Sequence, residues 1–199
     1  MSESVGRAGK RPVLVATAPK VRSDAWSSRM ENAAAETVEN VFEGGCTCRA
    51  VRYRMLSRPL FVHGCHCRWC QRETGSAFAV NAMIEMARFD LMQGRPIEVP
   101  TPSESGRGQK INRCPTCYVA LWSHYAGAGD QIAFVRVGTL DEPDRLPPDI
   151  HIFTSSKQPW VRLPDGVPAV PEFYDRRRLW PEASLARWRA HLAAVGPTR

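Results

Sequence analysis

Seven cysteines, grouped in three short clusters, are the side chains of this sequence most able to do chemistry. The clusters read GGCTC from residue 44, CHCRWC from residue 65 and CPTC from residue 114. An odd number leaves one thiol outside any complete set of disulfides, and the C-x-C spacing suits two ligands of one metal better than a bridge within the pair. We therefore predict metal binding in a reducing compartment, the cytoplasm, rather than a disulfide framework.

Zinc is the metal that such clusters favour, because it takes thiolates at about 2.3 Å in a tetrahedron. Seven thiolates divide as four plus three. The compact run of Cys65, Cys67 and Cys70 can hold one zinc by itself and leave a fourth position for water or substrate, the mark of a catalytic site. The closed site would join segments 66 residues apart, from Cys48 to Cys114, and would stabilise the fold. We predict two zinc ions per chain.

A histidine could instead close the second site and make both sites structural. The candidates are His63, His66, His124 and His151. His66 lies between two cysteines, so its side chain is expected to face outward, either as a proton shuttle or as a solvated group. Cysteines that merely fill the core are a further alternative.

The elements that must position these cysteines are mostly short strands. In residues 50–55, Val51, Tyr53 and Met55 alternate with arginines, the pattern of a half-buried strand. Turn-forming residues separate the predicted strands, which favours a mainly β, antiparallel domain. Further strands are predicted over residues 77–84, 88–92, 119–122, 132–140 and 151–154.

Helix is predicted at few places. Residues 68–73 can form a single turn beside Cys70, and residues 182–194 form the clearest helix, which begins after Pro181. Its apolar face is made by Leu185, Trp188 and Leu192.

Three segments divide the chain. Residues 1–40 lack a sustained period and are predicted to be a disordered extension with a short helix near residues 29–39. Residues 41–174 are predicted to form the zinc-binding domain, and residues 175–199 a basic C-terminal helix and tail.

The net charge of +7 is concentrated at the C-terminal end. Residues 175–199 carry a net charge of +4, whereas residues 41–174 carry +2. A nucleic-acid-binding protein usually presents its basic patch on the folded surface, so the charge pattern favours a solvated tail over nucleic-acid binding. No apolar run approaches the roughly 18 residues of a membrane span, so no membrane partner is expected.

The sequence resembles a known family in four segments. They read GGCTCRAVRYR, CHCRWCQRETGSAFAVNAMI, RCPTC and HIFTSSKQPW, and together they resemble the glutathione-dependent formaldehyde-activating enzyme family, which also includes centromere protein V. The resemblance covers residues 42–174 and includes all seven family cysteines in order. It implies an Mss4-like fold and two zinc sites. By resemblance the structural ligands are Cys46, Cys48, Cys114 and Cys117, and the ligands of the second zinc are Cys65, Cys67 and Cys70.

The resemblance also implies an activity. Enzymes of this family join formaldehyde to glutathione as S-(hydroxymethyl)glutathione and are classed as carbon–sulfur lyases for the reverse direction. A three-thiolate zinc could polarise the aldehyde oxygen or stabilise the sulfur nucleophile, and the sequence does not choose between them. The competing hypothesis is a non-catalytic zinc module that binds nucleic acid or a protein partner through its basic tail. An oligomer is left open.

Substrate-binding residues are less sharply indicated. Arg68 and Arg72 could receive the carboxylates of an acidic thiol, although ordinary surface charge is the alternative. Lys157 and Trp160 match the family's last motif and could line the cleft beside the second zinc, although Trp160 could equally pack in the core. Two departures from the family are Arg49 and Tyr118, which stand where glycine is usual.

Overall fold

The structure is a computed structural model that describes residues 40–196 of the 199-residue chain. Its strands form a three-stranded and a seven-stranded sheet, which confirms the predicted mainly β fold. The helix predicted near residues 29–39 lies outside the described residues. The strands are β1 (Phe42–Gly45), β2 (Arg52–Met55), β3 (Phe61–Cys65), β4 (Ala79–Glu85), β5 (Phe89–Gln93), β6 (Ile97–Thr101), β7 (Gln109–Arg113), β8 (Ala120–Tyr125), β9 (Ile132–Arg136) and β10 (Ile150–Ile152), and the helices are α1 (Arg68–Thr74) and α2 (Glu182–Val195).

The small sheet has the order β1-β2-β5 and the large sheet the order β10-β3-β4-β9-β8-β7-β6. Neighbouring strands are antiparallel except for β10 and β3, which are parallel. The predicted antiparallel arrangement therefore has one exception. This parallel pair places Ile152 beside Cys65, so the second cysteine cluster begins next to an edge strand.

Several boundaries differ from the sequence-based expectation. The strand predicted over residues 132–140 ends at Arg136, because Val137–Thr139 forms a 3-10 turn. The single turn predicted over residues 68–73 is the longer helix α1. Four observed strands, β1, β3, β6 and β7, are not predicted by the sequence patterns. Glycines end β1, and β6 contains Pro100, which has no N–H to donate. An edge strand tolerates proline where the backbone faces away from the neighbouring strand and no donor is required.

The large sheet buries side chains on both faces. On β4, Ala82 and Ile84 join a buried cluster with Tyr53 of the small sheet, whereas Ala79 and Met83 join a second cluster with Trp180. Side chains alternate across a strand. One face of the large sheet therefore carries the small sheet, and the other carries the C-terminal segment.

The C-terminal helix packs against this second cluster through Leu185 and Trp188. The buried carboxylate of Glu85 accepts hydrogen bonds from Arg187 Nε at 3.1 Å and Nη2 at 2.5 Å. The guanidinium of Arg176 lies 4.3 Å from the centroid of the Trp188 ring, a cation–π contact. Part of the basic tail thus holds α2 on the domain. Within residues 40–196, no helix has the length and apolar character that crossing a bilayer requires.

Candidate metal centres

Four cysteines from distant parts of the chain form the first centre. Their sulfur atoms all lie within 4.8 Å of one another. Two separations, 3.5 Å from Cys46 Sγ to Cys48 Sγ and 3.6 Å from Cys48 Sγ to Cys114 Sγ, approach the edge of about 3.8 Å expected for a tetrahedron with zinc–sulfur bonds of about 2.3 Å. A disulfide would require about 2.05 Å. The fourth member is Cys117, and the donor set of four thiols fits a structural zinc.

The two halves of this centre share one backbone pattern. Cys46 N donates to Val51 O at 3.1 Å, and Cys114 N donates to Val119 O at 3.1 Å. The backbone N–H of Val51 also donates to Cys46 Sγ at 3.3 Å. Such donors stabilise a thiolate. The pKa of Cys114 is lowered to about 6, chiefly by the backbone N–H of Cys117.

Arg49 and Tyr118, the two departures from the family pattern, adopt the left-handed conformation that glycine favours. Arg49 has φ of 62° and Tyr118 has φ of 59°. Each follows the second cysteine of its half, where the chain turns back. Both side chains are exposed, so neither disturbs the sulfur atoms.

This first centre joins the two sheets. Cys46 and Cys48 follow β1 of the small sheet, whereas Cys114 and Cys117 lie between β7 and β8 of the large sheet. A bound metal would therefore tie one sheet to the other.

Three buried cysteines form the second centre. Cys65 ends β3, Cys67 caps the N-terminus of α1, and Cys70 lies in the first turn of that helix. Their sulfurs lie within 4.8 Å of one another, and no fourth histidine, cysteine or carboxylate of residues 40–196 joins them at that spacing. Cys67 Sγ accepts a hydrogen bond from Cys70 N at 3.4 Å. Three soft sulfur donors at this spacing fit a zinc ion that keeps one position for another ligand.

Hydrogen bonds among these sulfurs favour one thiolate. The pKa of Cys67 is lowered to about 3, first by its hydrogen bond with Cys65 and next by that with Cys70. The pKa of Cys65 is raised, because its thiol proton is shared with the same two neighbours. The group thus offers an ionised sulfur to a cation.

The histidines that could have completed the second centre have other partners. His63 Nε2 lies 2.7 Å from Tyr174 Oη, and His124 Nδ1 donates to Ile132 O at 2.8 Å. His66 Nε2 lies 2.9 Å from His151 Nδ1. The His66 side chain is fully buried, so the expectation that it faces outward is wrong.

Hydrogen bonds from the last family motif, through Ser156 and Gln158, hold the loop around His66 in the second centre; this set of contacts is called the strap. Gln71 Nε2 donates to His66 O at 2.6 Å and to Ser156 O at 2.9 Å. Ser156 Oγ also donates to His66 O at 2.9 Å, and Gln158 Nε2 donates to Gln71 Oε1 at 2.7 Å. No sequence pattern singles out Gln71 or Gln158, because an isolated glutamine gives no pattern until its partners are known.

Three of the four predicted substrate-binding residues are exposed, and Lys157 is half-buried. Arg68 and Arg72 are exposed on α1, and Arg68 Nη1 donates to Gln71 Oε1 at 3.0 Å. The ammonium group of Lys157 donates to Val161 O at 2.7 Å. Trp160 is 72% exposed, which rules out the core-packing alternative for its side chain.

A cleft of about 540 Å³ lies between α1, the helix that carries Cys70, and the turn that carries Cys117. None of the four predicted substrate-binding residues lines it. Glu73 and Thr74 of α1 form one part of its wall, and Cys117 and Tyr118 form another. Glu73 forms an ion pair with Arg113. This pair connects α1, the helix of the second centre, to β7, the strand that leads into Cys114 of the first centre.

Known proteins are similar to this chain over the region that carries its cysteines. A family model described as "Glutathione-dependent formaldehyde-activating enzyme" matches residues 41–156, a span that contains all seven cysteines. A curated protein of Halomonas elongata, named "Putative glutathione-dependent formaldehyde-activating enzyme", is 24% identical over 160 residues, which cover 76% of this chain and 96% of that protein. A crystal structure of a Rhodobacter sphaeroides protein shows 20% sequence identity and a TM-score of 0.39, over 50% of this chain and 87% of that chain.

The family model spans more than half of the sequence and includes both centres. This chain therefore belongs to the glutathione-dependent formaldehyde-activating enzyme family.

Proposed function

We propose that this protein is a zinc-dependent carbon–sulfur lyase that forms or cleaves the adduct of a small thiol and an aldehyde. The first candidate is S-(hydroxymethyl)glutathione, from glutathione and formaldehyde. The observation that supports the proposal is the inequality of the two cysteine groups, with four sulfurs in one and three in the other. We also propose a cytoplasmic location, which agrees with seven free thiols.

The two groups take different roles in this proposal. The four-cysteine group holds a structural zinc, and Cys65, Cys67 and Cys70 hold the second. When bound there, zinc would supply Lewis-acid activation of the aldehyde oxygen or of the incoming sulfur. In the addition, a carbon–sulfur bond forms, the carbonyl π bond breaks, and the thiol proton ends on the new hydroxyl oxygen. Cleavage runs the same steps in reverse.

The protein's own side chains would support this addition in two ways. The burial of all three cysteines limits the access of water, which strengthens electrostatic interactions at the reacting atoms. His66 is the candidate for proton transfer, because its ring shares a hydrogen bond with His151. Arg68 and Arg72, which lie on the helix that carries Cys70, are candidates for contacts to the thiol, and so are Lys157 and Trp160, which follow Ser156 in the chain.

Cys67→Ser tests the role of the second group. Serine is also a good N-cap, so α1 keeps its cap while the thiolate is lost. We expect a folded protein by circular dichroism that retains one zinc ion and no longer accelerates the exchange between free glutathione and its formaldehyde adduct. Exchange NMR measures that acceleration against the uncatalysed rate.

Cys117→Ser is the matched variant in the first group. We expect it to unfold or aggregate, because metal binding at that group is folding energy. Equal damage from the two substitutions would contradict the division of roles.

The non-catalytic alternative makes a different prediction about exchange and binding. Two equally inert zinc ions and no thiol turnover would favour a zinc module. If the tail bound nucleic acid, replacing the exposed Arg177 and Arg178 with glutamine would weaken binding and flatten its salt dependence. These two arginines are the suitable ones to change, because Arg176 and Arg187 pack against the domain.

A further inference from the structure

The cleft between α1 and the turn that carries Cys117 is large enough for a substrate. Its volume of about 540 Å³ falls within the range of about 300–1,000 Å³ typical of small-molecule sites. Apolar surface from Phe78, Ala79 and Val80 lines part of it. Ala79 pairs with Cys65 across the sheet, so this part of the cleft adjoins the second centre.

The wall of the cleft also contains a buried cation, Arg136, which is only 6% exposed. Arg136 Nη1 donates to Asn81 Oδ1 at 2.5 Å, and Asn81 is its register partner on β4. Nε and Nη2 have no hydrogen-bond partner among residues 40–196. By contrast, Arg113 in the same cleft is neutralised by Glu73.

A buried charge without an anionic partner is strongly unfavourable. In Arg136 the two unused donors form the side edge of the guanidinium, and one carboxylate can accept both in a bidentate pair. The polypeptide supplies Asn81 to orient the group but supplies no anion for that edge.

We propose that Arg136 binds a carboxylate of the thiol substrate in this cleft and thereby selects thiols that carry an acid group. This inference rests on the proposed function, because it assigns a specificity-determining residue to the same reaction. Arg136 differs from Arg68 and Arg72 in burial, because the guanidinium groups of those two residues are exposed and already solvated by water.

The competing role for Arg136 is compensation of the negative charge of the second centre, since its charge also acts on Cys70. That role predicts that loss of Arg136 weakens zinc binding and affects every thiol equally. The carboxylate role predicts an effect on acidic thiols alone.

Arg136→Gln distinguishes these roles with a matched pair of thiols, 3-mercaptopropionate and the uncharged 2-mercaptoethanol. We expect KM for the acidic thiol and for glutathione to rise about 10- to 100-fold, the loss of a charged hydrogen-bonded pair, with kcat and zinc content unchanged. KM for 2-mercaptoethanol should stay as in the wild type. Arg136→Lys should recover part of the loss, because it restores the charge without the fork. Arg95→Gln, an exposed arginine outside the cleft, is the matched control.

A binding measurement separates failure of this inference from failure of the proposed function. S-methylglutathione cannot react, so calorimetry with this acid and with its diethyl ester reports the carboxylate contact without turnover. We expect the wild type to bind the acid more tightly than the ester, and Arg136→Gln to lose that difference even if no turnover is found. Equal losses for acidic and neutral thiols, loss of zinc, or unchanged binding of the acid by Arg136→Gln and Arg136→Lys would overturn the inference.

Discussion

Arg49 and Tyr118 combine an unfavourable backbone conformation with an exposed side chain. A left-handed conformation is unfavourable by roughly 1–2 kcal/mol for a residue that carries a Cβ atom. Tyr118 is 64% exposed, so its side chain gains little burial in return. The positions persist because the chain must turn back after Cys48 and Cys117 for the sulfurs to converge.

We expect Tyr118→Gly to raise the free energy of unfolding by roughly 0.5–1 kcal/mol, since relief of the left-handed strain exceeds the added freedom of the unfolded chain. Urea unfolding of the zinc-loaded protein measures this change. Tyr118→Ala is the control, because it keeps the Cβ atom and should bring no gain. A glycine variant no more stable than the alanine variant would show that the turn is not strained. Arg49→Gly should behave in the same way.

The C-terminal helix α2 depends on contacts with the sheet. Its last turn contains no basic residue that would favour the helix dipole, and Pro181 offers no side-chain cap. The contacts that hold it include the aromatic cluster around Trp180 and Trp188 and the two hydrogen bonds from Arg187 to Glu85.

Replacing Arg187 and replacing Glu85 should therefore change the free energy of unfolding by different amounts. The Glu85 side chain is 8% exposed and that of Arg187 24% exposed. Arg187→Met leaves a buried carboxylate unpaired and should lower the free energy of unfolding by about 2–3 kcal/mol, somewhat less than a fully buried pair would lose. Glu85→Gln should lower it by less, because water can reach the arginine. Denaturant unfolding of both variants and of the double variant measures the coupling. A larger loss in Glu85→Gln would contradict this account.

At the scale of the whole molecule, a metal in the first centre would fasten two layers whose strands, within residues 40–196, share no hydrogen-bonded ladder. Beyond the buried cluster between the sheets, its four sulfurs provide a direct link from the small sheet to the large one. The second centre lies within the large sheet and α1, so a metal bound there would cross no such boundary.

Chelation should consequently proceed in two stages. The zinc held by three cysteines should leave first, with the circular dichroism spectrum little changed. The zinc held by four cysteines should leave later, together with the loss of tertiary structure, because its binding energy is folding energy. A colorimetric zinc indicator and near-ultraviolet circular dichroism, followed in one titration, measure both events. A single release step, or loss of the second ion without unfolding, would disprove the assignment of the structural site.

Sequence patterns alone were sufficient to predict the two groups of cysteines and the β character of the fold. The patterns did not predict strands with few periodic residues, such as β6 and β7. They also did not predict the parallel pairing of β10, because register depends on partners distant in the chain. The hydrogen bonds of Gln71 were likewise not predictable from the sequence, because the role of a glutamine depends on which carbonyl groups the fold places around it.

The sequence by itself determined the number and spacing of the thiols and hence their local grouping, because the short C-x-C and C-x-x-C spacings keep the sulfurs of each cluster close together. Tertiary structure decided that the first centre bridges two sheets, that the histidines turn to other partners, and that Arg136 lies buried in a cleft with two unused donors. Those outcomes depend on contacts between strands far apart in the chain, and a side chain's burial and partners are settled only once the sheets have packed.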